Sequence, residues 1–102
     1  MAYRVVLVTA PAVEAEALAR GLVEARLAAC VNVLPGVVSH YRWKGKLHRD
    51  REVLLIAKTR QAKLAAFSRW IKEHHSYDVA EVLALPVAGG SKPYLKFLDD
   101  GT

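Results

Sequence analysis

The chain has 102 residues, 15 of them Lys or Arg and 10 Asp or Glu, for a formal charge of +5 and a pI near 9.6. This length predicts one domain over 1–102, and a composition 53% hydrophobic and 25% charged excludes a disordered chain. No apolar run approaches the ~20 residues of a membrane helix, and one cysteine, Cys30, excludes an internal disulfide framework and a four-cysteine zinc site.

Met1-Ala2-Tyr3-Arg4 leads straight into a strand-like segment without a signal-peptide pattern, so a cytoplasmic location is expected. Tyr3–Thr9 is a β-branched run and predicts a buried strand. Thr9 then suits a helix cap and Pro11 a first turn. Val13, Ala17, Leu18, Gly21, Leu22 and Ala25 recur at helical spacing, with a helix end expected near Arg26.

Ala29–Leu34 is a second strand. Pro35-Gly36 interrupts it as a bulge, since strand-like residues resume at Val37. Val37–Trp43 turns over Lys44-Gly45 into a long returning arm whose inner part, Glu52–Thr59, becomes apolar again. Thr59 suits a cap for the next helix, with Leu64, Phe67, Trp70 and Ile71 on its apolar face and His74-His75-Ser76-Tyr77 at its close. Glu81–Val87 is a fourth strand that Pro86 confines to an edge or end. Ser91 caps a short final helix with Pro93 in its first turn.

The order β-α-β-β-α-β predicts an α+β fold, a ferredoxin-like βαββαβ sandwich with a long β2–β3 hairpin and a short C-terminal helix. Two helices cover one face of such a sheet. The other face has no helix left to cover it, which predicts a ligand surface or self-association.

The charge is concentrated. From His40 to Arg51 stand Arg42, Lys44, Lys46, Arg49 and Arg51 against Asp50 alone, a net +4 of the total +5. Cations interleaved with Tyr41 and Trp43 have the look of a nucleic-acid platform. An RNA-recognition module, however, needs aromatics on its third strand, and Leu47–Leu54 has none, so no nucleic-acid partner is expected. Tyr41 and Trp43 are instead candidates for docking on a neighbouring subunit.

Cys30, within an apolar run, reads as a small buried hydrophobe. His74 and His75 end a helix, where cations are favourable; as imidazoles they could also serve copper or zinc alongside further ligands. Gly89-Gly90-Ser91 lacks the Lys-Ser/Thr of a phosphate loop and reads as a turn. No paired carboxylates, Ser/His/Asp set or HExxH is apparent, so an enzyme is not expected.

Several segments together resemble the CutA divalent-cation tolerance proteins. They are Thr9-Ala10-Pro11, Leu27–Gly36, the Ser39-x-Tyr41-x-Trp43-x-Gly45-Lys46 hairpin, Glu52, Lys58-Thr59, the His74, Tyr77 and Glu81 set, Pro86-Val87 and Tyr94-Leu95. The resemblance implies a cytoplasmic homotrimer of ferredoxin-like subunits, similar in architecture to PII-type signalling proteins. It also implies copper(II) or another divalent cation as ligand, no organic cofactor and no membrane partner.

Within that family copper ligation is credited to a Cys before Thr-Ala-Pro and to a His pair. The pair matches His74 and His75, but Val8 stands where the Cys would be, which removes the soft ligand for Cu(I). By their place in these motifs, Cys30, Lys58, Tyr77 and Glu81 are expected to border a cleft between subunits. An alternative function follows, that of a PII-like small-ligand module acting through such clefts. One Asn, one Gln, one Met and eight Arg further predict a thermostable protein.

Overall fold

A computed structural model describes residues 2–102; Met1, part of the start on which the cytoplasmic expectation rests, lies outside the described residues. The elements are β1 (Tyr3–Ala10), α1 (Ala12–Glu24), β2 (Cys30–Trp43), β3 (Lys46–Arg60), a 3-10 turn (Gln61–Lys63), α2 (Leu64–His74), β4 (Leu83–Pro86) and α3 (Lys92–Gly101). The sheet order is β2-β3-β1-β4 with every neighbouring pair antiparallel, the ferredoxin-like arrangement. Pro86 sits on β4, an edge strand, where its missing N–H costs no ladder bond.

Strand alternation sorts the sheet into two faces. Val6, Val8 and Ala10 of β1 and Val53, Leu55 and Ala57 of β3 are buried with Leu18 and Leu22 of α1 and Phe67 and Ile71 of α2. The α1 stripe is rotated from the expected one. Ala15, Leu18, Ala19 and Leu22 are buried, while Val13 is 95% exposed. The small alanines let the helix lie close to the sheet, and a search for bulky residues overlooks them. Gly21 serves the same closeness, since a Cβ there would stand 2.5 Å from the Trp70 ring.

Two expected caps have other work. Thr9 remains in β1, and Pro11 begins α1 without a side-chain cap. Thr59 is fully buried, and its hydroxyl donates to the Leu27 carbonyl at 2.7 Å, tying β3 to the turn after α1. Ser91 does cap α3, accepting from the Tyr94 amide at 3.4 Å. α1 ends at Glu24, and Arg26 just beyond it has φ 57°.

The hairpin behaves as its sequence predicts. The register slips between Leu34 and Val37, and Gly36 takes φ 84° at the bulge. Lys44 (φ 50°) and Gly45 (φ 77°) form a two-residue turn with both central residues left-handed, the geometry whose twist matches paired strands. The arms have 14 and 15 residues, in a molecule that measures 44 × 25 × 23 Å with the arms included.

The second sheet face is covered only in part. α3 lies over the end where β1 starts and β3 finishes. There the Tyr3 hydroxyl donates to Asp99 at 3.0 Å and Arg60 Nε to Thr102 Oγ1 at 2.8 Å. Beyond α3, cross-strand rows Leu83–Leu7–Ile56 and Thr9–Leu54–Leu34 run across the face. Leu83 (59%), Leu85 (48%) and Leu34 (43%) stand exposed on it. Among the described residues no helix is long and apolar enough to cross a membrane.

Candidate functional site: a divided histidine pair and an acidic cleft

α2 ends at His74, and the backbone turns extended at His75 (φ −86°, ψ 142°). Adjacent rings at such an exit diverge. His74 is exposed and lies against Trp70, with ring centroids 4.0 Å apart and Nδ1 at 2.8 Å from the Trp70 carbonyl. A carbonyl can only accept, so Nδ1 donates, and among the described residues no hydrogen bond engages Nε2.

His75 points inward, and its side chain is wholly buried. The Tyr77 amide donates to Nδ1 at 3.1 Å, which places the ring proton on Nε2; that nitrogen donates to the Thr9 carbonyl at 2.8 Å. Glu14 closes the arrangement, accepting from the Ser76 amide at 3.1 Å. The two rings therefore do not converge, and both nitrogens of His75 are engaged.

The segment after His75 forms the wall of a cleft of about 380 Å³. Tyr77, Asp78, Val79, Ala80 and Glu81 line one side, and Thr9, Glu52, Tyr41 and Trp43 the sheet and hairpin side. Glu52 is only 6% exposed, and the Tyr77 hydroxyl donates to its Oε2 at 2.9 Å. Burial, then this bond and the charge of Glu52, push the Tyr77 phenol far above its ordinary value, so it remains a donor. Burial and then the charge of Glu52 also raise the Glu81 carboxyl above 4.5. Tyr41 donates to Asp50 and stacks on His48 at 5.2 Å.

That raised carboxyl has a consequence for stability. A folded state that holds the Glu81 proton more tightly than the unfolded chain is favoured below pH 4.5, and the advantage fades as pH rises through the raised value. Glu81→Gln is therefore expected to melt above the parent at pH 7, by less than ~1 kcal/mol, and level with it below pH 4.5. Parallel thermal melts at the two pH values check this; a variant less stable at pH 7 contradicts it.

Cys30 and Lys58 lie elsewhere. They are cross-strand partners at the α3 end of the open face, with Lys58 Nζ 3.8 Å from Cys30 Sγ and bonded to Asn32 Oδ1. Lys58 is six residues along β3 from Glu52, about 20 Å at strand rise. Within one chain the four residues expected around one cleft thus form two groups, Tyr77 with Glu81 and Cys30 with Lys58. Glu52 belongs to the first group. Its signal was phase: it alternates with Leu54 and Ile56, which puts a carboxylate in an apolar row.

The chain is thus of the ferredoxin-like class, with one partly open sheet face and a recessed acidic cleft. Residues 4–101 match the family described as CutA1 divalent ion tolerance protein. The chain belongs to that family. It is 46% identical over 99 residues, 96% of either chain, to the divalent-cation tolerance protein CutA of Thermus thermophilus. It is 52% identical over 86 residues to a CutA homolog of Xenopus laevis, covering 84% of this chain and 57% of that protein. The chain spans little more than half the length of that relative and of the chloroplastic relatives from Arabidopsis thaliana and rice. The crystal structure of CutA1 from Oryza sativa superposes with a TM-score of 0.95 at 47% identity, covering 100% of this chain and 94% of that one.

Proposed function

We propose that this chain is the single-domain subunit of a non-enzymatic, cytoplasmic homotrimer that serves divalent-cation tolerance and binds copper(II) or another divalent cation weakly. Membership of the CutA1 family supports the cation role. The observation that carries the assembly is the open face. Leu83, Leu85 and Leu34 are exposed on it, beside a 14-residue edge strand, β2, whose outer backbone groups are unpaired within the sheet. Water-exposed leucines and a long free edge are both stabilised by a second copy. Tyr41 and Trp43, each 41% exposed on the protruding arm, are the proposed trimer contacts.

Light scattering is expected to give three times the 11.3 kDa chain mass, and Leu83→Asp to shift it toward one chain. A monomeric parent overturns the assembly. The trimer is expected to melt above ~65 °C, at a temperature that rises with concentration.

For the metal, His74 offers a free Nε2, whereas His75 would have to release the Tyr77 amide to bind. Among the described residues no three His, Cys, Asp or Glu side chains gather as a metal site, which accords with weak binding. Calorimetric titration with copper(II) is expected to lose its heat in His74→Ala. Equal binding by parent and variant removes His74 as a ligand.

The cleft supports a second reading, a PII-like small-ligand module. Its support is Glu52, a buried carboxylate facing an open volume of about 380 Å³. In a trimer a neighbouring copy could bring its Cys30 and Lys58 to this cleft. No nucleic-acid partner is proposed. Among the described residues no ion pair engages Arg42, Lys44, Lys46, Arg49 or Arg51, which leaves them free to solvate the hairpin and meet acidic groups of a neighbour.

A further inference from the structure

We infer that Lys58 of a neighbouring copy enters the cleft between the hairpin and the 77–81 segment and is the counter-ion of Glu52 there. This rests on the proposed trimer and names the contact that closes each of its interfaces. Glu52 is only 6% exposed, receives one hydrogen bond, from Tyr77, and has no cation within salt-bridge distance among the described residues of its own chain. Asp78 and Glu81 line the same cleft, so three carboxylates share it, and none of the chain's lysines or arginines does. Buried like charges without a counter-ion are costly.

The missing cation stands at the other end of the same sheet face. Lys58 follows Glu52 by six residues, an even number, so strand alternation puts both on the open side, about 20 Å apart. No lysine side chain spans that gap within one chain. Lys58 Nζ bonds to Asn32 Oδ1 of β2, and among the described residues no carboxylate lies within salt-bridge distance of it. Its head therefore leans over one free edge of the sheet, β2. Asp78 and Glu81 stand on the segment that leads into the other free edge, β4. A closed three-fold ring joins unlike patches, head to tail. A cation at one edge and carboxylates beside the other are the complementary ends such a ring brings together.

Other cations fit less well. Strand phase turns Arg42, Arg49 and Arg51 to the opposite side of the hairpin, and Arg60, on the open side, is bonded to Thr102. Lys46 shares the open side but sits at the hairpin tip. Tyr41 and Trp43, the proposed trimer contacts, line the cleft and flank the apolar stem of the incoming lysine.

Sites about 20 Å apart in one chain act independently unless they meet across copies. The test is a double-mutant cycle on trimer dissociation, followed by light scattering over a dilution series in moderate urea. Circular dichroism checks that each variant subunit remains folded. Lys58→Met is expected to raise the half-dissociation concentration roughly tenfold or more, the scale for truncating one partner of a buried charge pair. Glu52→Gln should raise it too, and in that background Lys58→Met should add little. Lys46→Met should show no coupling to Glu52→Gln. A carbodiimide, which condenses an amine with a carboxylate without a spacer and is itself hydrated to a urea, should link Lys58 to Glu52, Asp78 or Glu81 of another copy.

Additive effects of Lys58→Met and Glu52→Gln in a trimeric parent overturn the inference and leave the assembly standing. Coupling of Glu52 to Lys46 in place of Lys58, or cross-links from Lys58 only to carboxylates outside the cleft, overturn it likewise. A monomeric parent removes both the inference and the trimer.

Discussion

Replacing His75 by alanine is expected to destabilise the protein by about 3 kcal/mol or more, whereas His74→Ala costs under ~1 kcal/mol. The asymmetry follows from where each ring spends its nitrogens. Removing His75 strands the Thr9 carbonyl and the Tyr77 amide and opens a void in a fully buried position. Removing His74 loses a stacking contact with Trp70 and one exposed hydrogen bond. Chemical denaturation of the two variants at one protein concentration checks the difference. Equal costs would show that the inward ring is not a structural bolt. The expectation also bears on function: any loss of cation response in His75→Ala has to be separated from loss of fold, while His74→Ala tests ligation cleanly.

Phe67→Ala is expected to cost about 3–5 kcal/mol, the range for deleting a fully buried aromatic ring. Phe67 has no exposed surface and lies in the single cluster that joins α1 and α2 to Val6, Val8, Leu55 and Ala57 of the sheet. The residues of that cluster are apolar, so water gains little by entering the hole that would remain. Val13→Ala, by contrast, changes a residue 95% exposed and should leave the denaturation midpoint within ~0.5 kcal/mol of the parent. A small effect of Phe67→Ala would mean that assembly, not this core, carries the stability of the subunit. Repeating the measurement across a dilution series separates the two contributions.

Much of the fold was legible because its signals are local. A β-branched run, a proline-glycine bulge, a two-residue turn ending in Gly45 and a Ser91 cap each act over a few residues, and each stands where the sequence implies. The errors were local rules overruled by packing. Thr9 and Thr59 look like caps, but the strands run through both, and the buried hydroxyl of Thr59 finds the Leu27 carbonyl instead. The α1 stripe looked centred on Val13 and Ala17, yet a helix seated close against a sheet selects small residues, Ala15 and Ala19.

The site was legible in its parts and not in its grouping. Residue type and motif singled out His74, His75, Tyr77 and Glu81. Register then separates Cys30 and Lys58 from them by the length of β3, and brings Glu52 in, because strand phase turns its carboxylate to the same face as Leu54. By itself the sequence determined the element order, the family and the concentration of charge on one hairpin, since composition, period and motif are carried by neighbours along the chain. Only the tertiary structure decided which histidine is free, which carboxylate is buried and which residues share a cleft. Those depend on hydrogen-bond partners and cross-strand neighbours far away in sequence, and burial and protonation have no value until those partners are in place.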